Sequence, residues 1–409
     1  MSPSSRSRPI LCLVLLCIVV FYFSPSSVRG WRRRDTRMDL VKPLVDYGEQ
    51  RHGWIAANQR AAHALWSCIE RGDCGENQMK VVILMIWAMS TIRALESMGH
   101  TVLYAVDVPA AVQLYHLFDP LVKILIMNGE QIQECCGIDY CLKSEQNPAG
   151  IPIWKMFAFS FWVNPATDLG NQWTLSPEDY GTNTFLGYSI EAQCELRPFV
   201  PHAKRAKQIY IIAKYVTFFD QEKTAWPTDF FEAAAAEVGV EFVTGTHVGD
   251  RPDLFPASKH VHNLGGVLTQ SDFYGNLSHS VALLGVGDPV TSPTPYDALC
   301  LGVPFINPVQ MWDPTSPDDR TRWSTQHDPL KELDPPFVYH VKRRDRAAFV
   351  AAVRGAVENP ISSHVLDRMR MQSVEKRLED IINRDWRKEA EAILERRRTG
   401  AEAGYLFTL

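Results

Sequence analysis

The sequence predicts an α/β protein built from two doubly wound domains that face a cleft. From residue 80 onward, apolar runs typical of buried parallel strands alternate with helical patterns, as they do in βαβ units. A loop-rich, aromatic stretch at 146–184 divides this alternation into two sets. The predicted domains are therefore 79–205 and 206–355, and a charged helical tail follows at 356–409.

The composition agrees with a globular protein of that size. The chain has 409 residues, of which 46% are hydrophobic and 22% are charged, and a domain typically takes about 100–200 residues. The net charge is −5 at pH 7, so charge gives no indication of a nucleic-acid partner.

The first set of elements begins with "KVVILMIW", a continuous apolar run that suits a buried parallel strand. A helix, "STIRALESMGH", follows with a Ser/Thr start and a Gly stop. Two further buried strands are expected at "TVLYAVD" and "VKILIMN".

The second set begins at residue 207. Strands are expected at "KQIYIIAKY", "VEFVTGT", "VALLGVG" and "VPFINPV". Helices are expected at "PTDFFEAAAAEVG", "TQSDFYGNLSHS" and "PYDALCLG", the first of them starting at Pro227 and Thr228 and stopping at Gly239. The sequon at 276–278 falls inside a predicted helix, which favours burial or capping over glycosylation. The acid–base spacing of 364–398 favours a solvated surface helix.

The N-terminus predicts entry into the secretory pathway. Residues 10–23 are apolar without a charge and have arginines on both sides, but fourteen residues reach only about 21 Å of a roughly 30 Å hydrocarbon core. We favour a signal anchor at 10–25, with a cytoplasmic tail at 1–9 and a stem and lead-in helix at 26–78. A cleaved signal peptide and a buried apolar helix are the alternatives.

Cysteine usage fits that compartment. Seven cysteines lie outside the apolar span, and Cys68 with Cys74, and Cys135 or Cys136 with Cys141, are close enough for local disulfides. Because seven is odd, at least one thiol stays unpaired or pairs with another chain. The cysteine and histidine spacing does not favour a zinc site.

The segment "LLGVGDPVTSPTPYDALCLG" suggests a nucleotide site. A strand ends at Gly285 and Gly287, where glycines let a ligand approach the backbone. The loop then leads into a helix whose free amides and positive dipole end favour a phosphate. Asp297 at the helix start can accept hydrogen bonds from a ribose diol; the alternative is that it only caps the helix.

Three stretches together resemble the N-acetylglucosaminyltransferase V family, the α-1,6-mannosylglycoprotein 6-β-N-acetylglucosaminyltransferases of the Golgi. They are "WTLSPEDYGTNTFLGYSIE", the run 262–287, and "TSPTPYDALCLGVPFINP" with its Pro-x-Pro loop. "STQHDPL" followed by "FVYHV" is also similar to the family. The resemblance covers roughly 180–345 well and 80–110 weakly.

The resemblance implies a GT-B fold, in which two Rossmann-like domains face a cleft and the C-terminal domain binds UDP-GlcNAc. The implied reaction is inverting transfer of GlcNAc to the 6-hydroxyl of an α-mannose on an N-glycan, by a single-pass type II protein of the Golgi membrane; a secreted form is compatible with it. The family needs no metal or other cofactor, and no Asp-x-Asp occurs in this sequence.

The resemblance also implies roles for individual residues. Asp297 matches the family's second loop glutamate, which implies a ribose contact, whereas Thr291 departs from the family's first glutamate. Lys214 matches a family lysine that meets the diphosphate; a plain surface lysine is the alternative. The remaining donor-site residues are Gly285, Gly287, Pro293 and Pro295, and the cleft-lining candidates, with core packing as the alternative, are Phe185, Leu186 and Gly187.

The family's general base is missing. It is a glutamate in a Gly-rich segment before the first long helix, and Met85 stands there if no gap is allowed. Glu76 and Glu96 do not fit that position and read as surface residues. A lost exon is the favoured explanation; a substitute residue, or an inactive relative that binds glycans or UDP-sugars, are the others. Aromatic residues of 154–162 offer either a sugar-stacking platform or a plug for the cleft, namely Trp154, Phe157, Phe159, Phe161 and Trp162.

Overall fold

The computed structural model describes residues 50–86, 89–163 and 167–409. The predicted tail 1–9, the anchor 10–25 and the stem up to residue 49 lie outside the described residues. Of residues 1–59, which form a unit of their own, the structure describes the start of helix α1 (Gln50–Arg71). Among the described helices, none is long and apolar enough to cross a membrane.

The first sheet has six parallel strands in the order β2-β1-β3-β4-β5-β6. Their bounds are β1 Val81–Leu84, β2 Thr101–Tyr104, β3 Val122–Asn128, β4 Met156–Phe159, β5 Thr174–Ser176 and β6 Thr184–Phe185. The accompanying helices are α2 Met89–Ser97, α3 Val108–Phe118 and α4 Gly129–Cys136. Strands β1 and β2 are buried throughout, as their unbroken apolar runs predict.

The stretch 146–184 is loop-rich, as predicted, but it also contains strands that the sequence did not indicate. This stretch contains β4, β5 and the first residue of β6. β5 and β6 have only three and two residues, too few to show a period in the sequence. These short strands are recognised by their pairing instead: β4 pairs with β3, β5 with β4, and β6 with β5.

The second sheet has the strand order β12-β11-β10-β7-β8-β9, and β13 also pairs with β11. The strands are β7 Gln208–Ile211, β8 Glu241–Thr244, β9 Val261–Asn263, β10 Ala282–Leu284, β11 Phe305–Met311, β12 Ser324–Thr325 and β13 Val338–Lys342. All pair in parallel except β12. The predicted α/β class with parallel sheets is therefore confirmed.

Helix α5 (Glu191–Glu195) follows β6, and four helices accompany the second sheet: α6 Thr228–Val238, α7 Gln270–Ser278, α8 Thr294–Cys300 and α9 Arg346–Glu358. Helix α6 begins after Pro227 and ends at Gly239, whose φ of 73° is the left-handed conformation that glycine adopts readily. The sequence predicts both ends correctly. Asn276 lies inside α7, also as expected.

The C-terminal tail is not a solvated surface helix, so that prediction is wrong. It forms α10 (Met371–Asn383) and α11 (Trp386–Arg398), and each buries an apolar stripe. Helix α10 packs on α2, and α11 packs on the turn Ile153–Lys155. Trp386 is buried against Phe157 and Trp173, with ring centroids 4.8 and 5.1 Å away. The chain thus returns from the second sheet to cover the first.

Three disulfides tie the described chain together. Cys68–Cys74 is as predicted, and Cys135 rather than Cys136 pairs with Cys141. The sequence did not indicate the third, which joins Cys194 in α5 to Cys300 in α8 across 106 residues. Among the cysteines that the structure describes, Cys136 is free and exposed, which agrees with the odd count of seven outside the apolar span.

Candidate active site

The second sheet reverses its strand order between β7 and β10. From β7 the chain moves outward through β8 and β9, whereas β10 and β11 extend the other edge. Ile211 and Leu284 are register partners at the carboxyl ends of these two strands. Ligands of open parallel sheets bind beyond such a switch point, and the loops that follow β7 and β10 carry the predicted donor residues.

The two glycines after β10 are required by packing within the chain. A Cβ at Gly285 would collide with Gln326 and Pro308, and one at Gly287, whose φ is 120°, would collide with Gln310. The Gly287 amide donates to Gln326 Oε1 at 2.8 Å. These contacts give each glycine a packing reason of its own, and the predicted approach of a ligand to the backbone stays a prediction.

Helix α8 does not present the free amides expected of a phosphate cradle. The Thr294 amide donates to Ser292 Oγ at 3.3 Å, and the Tyr296 amide donates to the Pro293 carbonyl at 3.0 Å. Pro295 occupies the position between them and has no N–H. A diphosphate at this loop therefore needs side-chain donors, and the prediction that backbone amides supply them is wrong.

Asp297 lies one turn inside α8 and does not cap it. Its side chain is only 7% exposed and faces Tyr274 of α7 and Arg197. Burial raises the pKa of Asp297 to about 7, while the Tyr274 hydrogen bond and the Arg197 charge act in the opposite direction. Its predicted ribose contact stays a prediction, and because Asp297 is buried the contact requires neighbouring side chains to move.

Two other predicted donor residues are accessible. Lys214 is exposed after β7, with its ammonium group 5.7 Å from the Tyr215 ring centroid. Thr291 is half-buried in the loop before α8, and its φ of 55° is strained for a β-branched residue. Its amide donates to the Gln326 carbonyl at 2.9 Å, so Gln326 holds both ends of this loop.

The three cleft candidates after β6 contact α10. The guanidinium group of Arg377 lies 4.3 Å from the Phe185 ring centroid and donates to the Leu186 carbonyl at 2.7 Å. Gly187 has a φ of 71°, and a Cβ there would meet Arg377. Leu186 is fully buried. Residues 185–187 therefore pack against α10, which is in line with the core-packing alternative.

A polar cluster that the sequence did not indicate surrounds Glu178. Glu178 lies two residues after β5, at the carboxyl end of the first sheet, and is 1% exposed. Tyr296 of α8 donates its hydroxyl hydrogen to Glu178 Oε2 at 3.0 Å. Arg368 donates to the Tyr296 oxygen at 3.2 Å. The cluster thus joins the first sheet to the loop and helix that follow β10.

The Glu178 carboxyl group is only half satisfied. Oε1 is buried and has no hydrogen-bond partner among the described residues. Burial raises the pKa of Glu178 to about 7, while the Tyr296 hydrogen bond and the Arg368 charge lower it. A carboxyl group with such a pKa can exchange a proton near neutral pH, which is the property that general acid–base catalysis needs.

His327 is the fourth residue of this cluster. Its ring lies 4.9 Å from the Tyr296 ring in an edge-to-face arrangement. Burial lowers the pKa of His327 to about 3, so the ring is neutral at physiological pH. Neither ring nitrogen has a hydrogen-bond partner within the described part of the chain. A neutral His327 adds no positive charge to the cluster, so the charge that acts on Glu178 is that of Arg368.

The aromatic residues of 154–162 separate into three locations. Phe157 is in the core, and Trp154 lies beside Lys155 before β4. Phe161 and Trp162 follow β4 and are 50% and 62% exposed. Since β4 and β5 are neighbours, these two rings stand at the same edge of the sheet as Glu178.

Comparisons with known proteins give a weak likeness in structure and none in sequence. No protein-family model matches the chain, and no curated protein matches it. An α-glucosyltransferase in complex with UDP and DNA is 11% identical with a TM-score of 0.43, covering 77% of this chain and 98% of that one. The glycotransferase of kitacinnamycin is 13% identical (TM-score 0.37; 78% and 98% covered), and a UDP-GlcNAc 2-epimerase from Methanocaldococcus jannaschii is 12% identical (TM-score 0.31; 82% and 82% covered). Likeness at this level assigns neither a family nor an activity.

In the described ranges, no three His, Cys, Asp or Glu side chains converge as metal ligands do. The prediction of a metal-independent reaction rests on the family resemblance and stays a prediction.

Proposed function

We propose that the protein is an inverting glycosyltransferase of the GT-B type. It transfers GlcNAc from UDP-GlcNAc to the 6-hydroxyl of an α-mannose on N-glycans, as the resemblance to the N-acetylglucosaminyltransferase V family implies. The donor binds beyond β7 and β10 in the second domain, and the acceptor binds beyond β4 and β5 in the first.

The observation that carries the proposal is the meeting of the family-like segments at one place. Tyr188 from the segment 183–191 and Tyr296 from the segment 291–308 have ring centroids 5.9 Å apart. The disulfide Cys194–Cys300 joins the same two regions. They meet beside Glu178, at the carboxyl ends of both sheets, where open α/β sheets bind their ligands.

Inverting glycosyl transfer has three requirements at such a site: a base, a cation for UDP, and a surface that binds the acceptor sugar. A hydroxyl oxygen of the acceptor bonds to the anomeric carbon, the bond from that carbon to UDP breaks, and a base takes the hydroxyl proton. The negative charge that develops on UDP needs a cation, and we assign that role to Lys214, which is exposed after β7. The exposed rings of Phe161 and Trp162 offer apolar faces to the acceptor sugar.

The three disulfides support a luminal location, since disulfides persist in oxidising compartments. We propose the Golgi lumen, with residues 10–25 as a type II membrane anchor. In intact microsomes the chain should resist added protease and lose that protection when detergent is present. Digestion without detergent would contradict the luminal placement.

Transfer of radiolabelled GlcNAc from UDP-GlcNAc to a biantennary N-glycan tests the proposal with the full chain in detergent. Saturation-transfer NMR with UDP tests donor binding separately. UDP binding with no transfer would favour the inactive relative, and no UDP binding would refute the proposed donor site.

Asp297→Ala should weaken UDP binding about tenfold or more, because a hydrogen bond to a charged group contributes about 1.5–3 kcal/mol. Asp253→Ala is the matched control, since Asp253 is an exposed aspartate of the same domain that pairs with Arg251. Unchanged affinity in Asp297→Ala would remove Asp297 from the donor site.

A further inference from the structure

The first domain has several carboxyl groups beyond the carboxyl ends of its strands. After β2, Asp107 caps α3 by accepting from the Ala110 amide at 2.8 Å. Asp179 is exposed and accepts from the Gly181 amide. Glu191 accepts from the Met371 amide at 2.6 Å and pairs with Arg370. These carboxylates are used in capping, turns or helix docking, and none of their hydrogen bonds reaches α8.

Glu178 differs from them in what it faces. Its Oε2 atom is fixed by Tyr296 of α8, and Tyr296 is fixed in turn by Arg368, which also donates to the Pro329 carbonyl at 2.7 Å. The carboxyl group is therefore held in one orientation against the helix that follows the donor loop. Its other oxygen, Oε1, is buried without a partner.

A second buried acceptor occurs five residues later. Asn183 is 7% exposed, and its Oδ1 atom also has no hydrogen-bond partner among the described residues. Its Nδ2 atom donates to the Trp162 carbonyl at 2.9 Å, and Tyr180 donates its hydroxyl hydrogen to the Phe161 carbonyl at 2.7 Å. The segment that carries the two unpartnered oxygens is thus bonded to the loop that carries the exposed rings.

Buried oxygens without donors are uncommon in folded proteins, because each one forgoes the hydrogen bond that it made to water. A ligand that brings hydroxyl donors would satisfy them. Exposed aromatic rings on the loop that is hydrogen-bonded to this segment suit a sugar, which has apolar C–H faces as well as hydroxyl groups. The first domain therefore offers a carbohydrate acceptor site.

We propose that Glu178 is the general base of the transfer reaction and replaces the glutamate that the family has elsewhere. Oε1 takes the proton of the attacking acceptor hydroxyl as its oxygen bonds to the anomeric carbon. The bond from that carbon to UDP breaks, and its electron pair leaves on the β-phosphate oxygen. This inference rests on the proposed function and deepens it.

The burial of Glu178 affects how the acceptor can reach its carboxyl group. At 1% exposure the carboxyl group is closed off from solvent in this structure. Access of the acceptor hydroxyl to Oε1 requires side chains around that oxygen to move. The base is shielded from water until the substrate arrives.

Glu178→Gln tests the assignment with little change of shape. The amide oxygen can still accept from Tyr296, but the side chain cannot take a proton. We expect UDP binding to be retained and transfer to fall by about 10²–10⁴-fold, the usual contribution of a general base. Glu96→Gln is the matched control, because Glu96 also accepts from a tyrosine, Tyr104, but lies in α2. Its transfer rate should equal that of the unaltered protein.

The pH dependence of the unaltered protein gives a readout that needs no variant. Burial raises the pKa of Glu178 to about 7, so kcat/KM should fall tenfold per pH unit below that value. Formate should restore part of the activity of Glu178→Ala, since it supplies a carboxylate to the vacated space, and should not restore that of a variant impaired only in folding.

Three outcomes would overturn the assignment. Transfer by Glu178→Gln at the rate of the unaltered protein would show that another group is the base, while the proposed function stands. A kcat/KM that stays constant between pH 5 and 8 would also show that another group is the base. UDP binding without any transfer by the unaltered protein would refute the base and the proposed transfer together, and would favour the inactive relative. Absence of both UDP binding and transfer would refute the proposed function itself.

Discussion

Glu178→Gln should make the folded protein more stable above neutral pH, although it removes the proposed base. The reason is the free energy of ionising a buried carboxyl group. A glutamate in an unfolded chain has a pKa of about 4.3, whereas burial raises the pKa of Glu178 to about 7. The side chain is only 1% exposed, so solvent screening reduces this difference little.

The sign follows from the protons bound by each state. Between the two pKa values the unfolded chain loses the proton and the folded chain keeps it, so the free energy of unfolding falls as the pH rises. Above the folded pKa, ionised Glu178 costs about 4 kcal/mol, at about 1.4 kcal/mol for each tenfold change in the acid constant. Glutamine has no charge to bury and escapes this cost.

Urea unfolding of the disulfide-intact protein, followed by tryptophan fluorescence from pH 5 to pH 8, measures the effect. The stability of Glu178→Gln relative to the unaltered protein should increase by about 2–3 kcal/mol between these pH values. Glu76→Gln is the control, because Glu76 is exposed and its difference should stay flat. A flat difference for Glu178→Gln, or lower stability than the unaltered protein at pH 8, would refute the burial argument.

Three further predictions concern the stability of the fold and the binding of UDP. Trp386→Ala should destabilise the protein by about 3–5 kcal/mol in urea unfolding, as loss of a buried tryptophan does; a loss under 1 kcal/mol would mean that α11 is not part of the first core. Cys194→Ser with Cys300→Ser opens a 106-residue loop and should cost about 2–4 kcal/mol without reductant, and equal stability would show that the bond does not form. Lys214→Ala should weaken UDP binding about tenfold with no change in unfolding midpoint, because Lys214 is exposed; unchanged affinity in a titration would exclude its contact with the diphosphate.

Much of the sheet architecture could be predicted because its strands are continuous apolar runs. The segments of β1, β7 and β10 are buried on both faces of their sheets, and such burial leaves an unbroken apolar signature in the sequence. Local disulfides were equally visible, since Cys68 and Cys74 are six residues apart. These features depend on neighbours along the chain.

Features that depend on distant parts of the chain were not predicted. Strands β5 and β6 are defined by the strands beside them, and the Cys194–Cys300 pair is defined by the docking of α5 on α8. In the tail, the buried stripe of α10 was masked by its many charges, which occupy the outer face. Apolar residues at helical spacing, such as Val374 and Leu378, were the signal that could have revealed it.

In the candidate site, too, some features could be predicted from neighbouring residues, and others depend on distant parts of the chain. The donor loop was located from its glycines and prolines, but the side chains that fill it, Gln326 and Gln310, come from residues 310–326. Glu178 could have been noticed as an acid just after a short strand. Its partner Tyr296 is 118 residues away, so its burial and its raised pKa could be seen only in the folded chain.

The configuration of the newly formed linkage tests the central claim most directly. The donor carries GlcNAc in the α configuration, so attack by a hydroxyl oxygen assisted by one base must give a β-linked product. We predict that proton NMR of the purified product of UDP-GlcNAc and a biantennary N-glycan will show a β-linked GlcNAc on the 6-position of a mannose. An α-linked product, or release of free GlcNAc with no new linkage, would contradict inverting transfer.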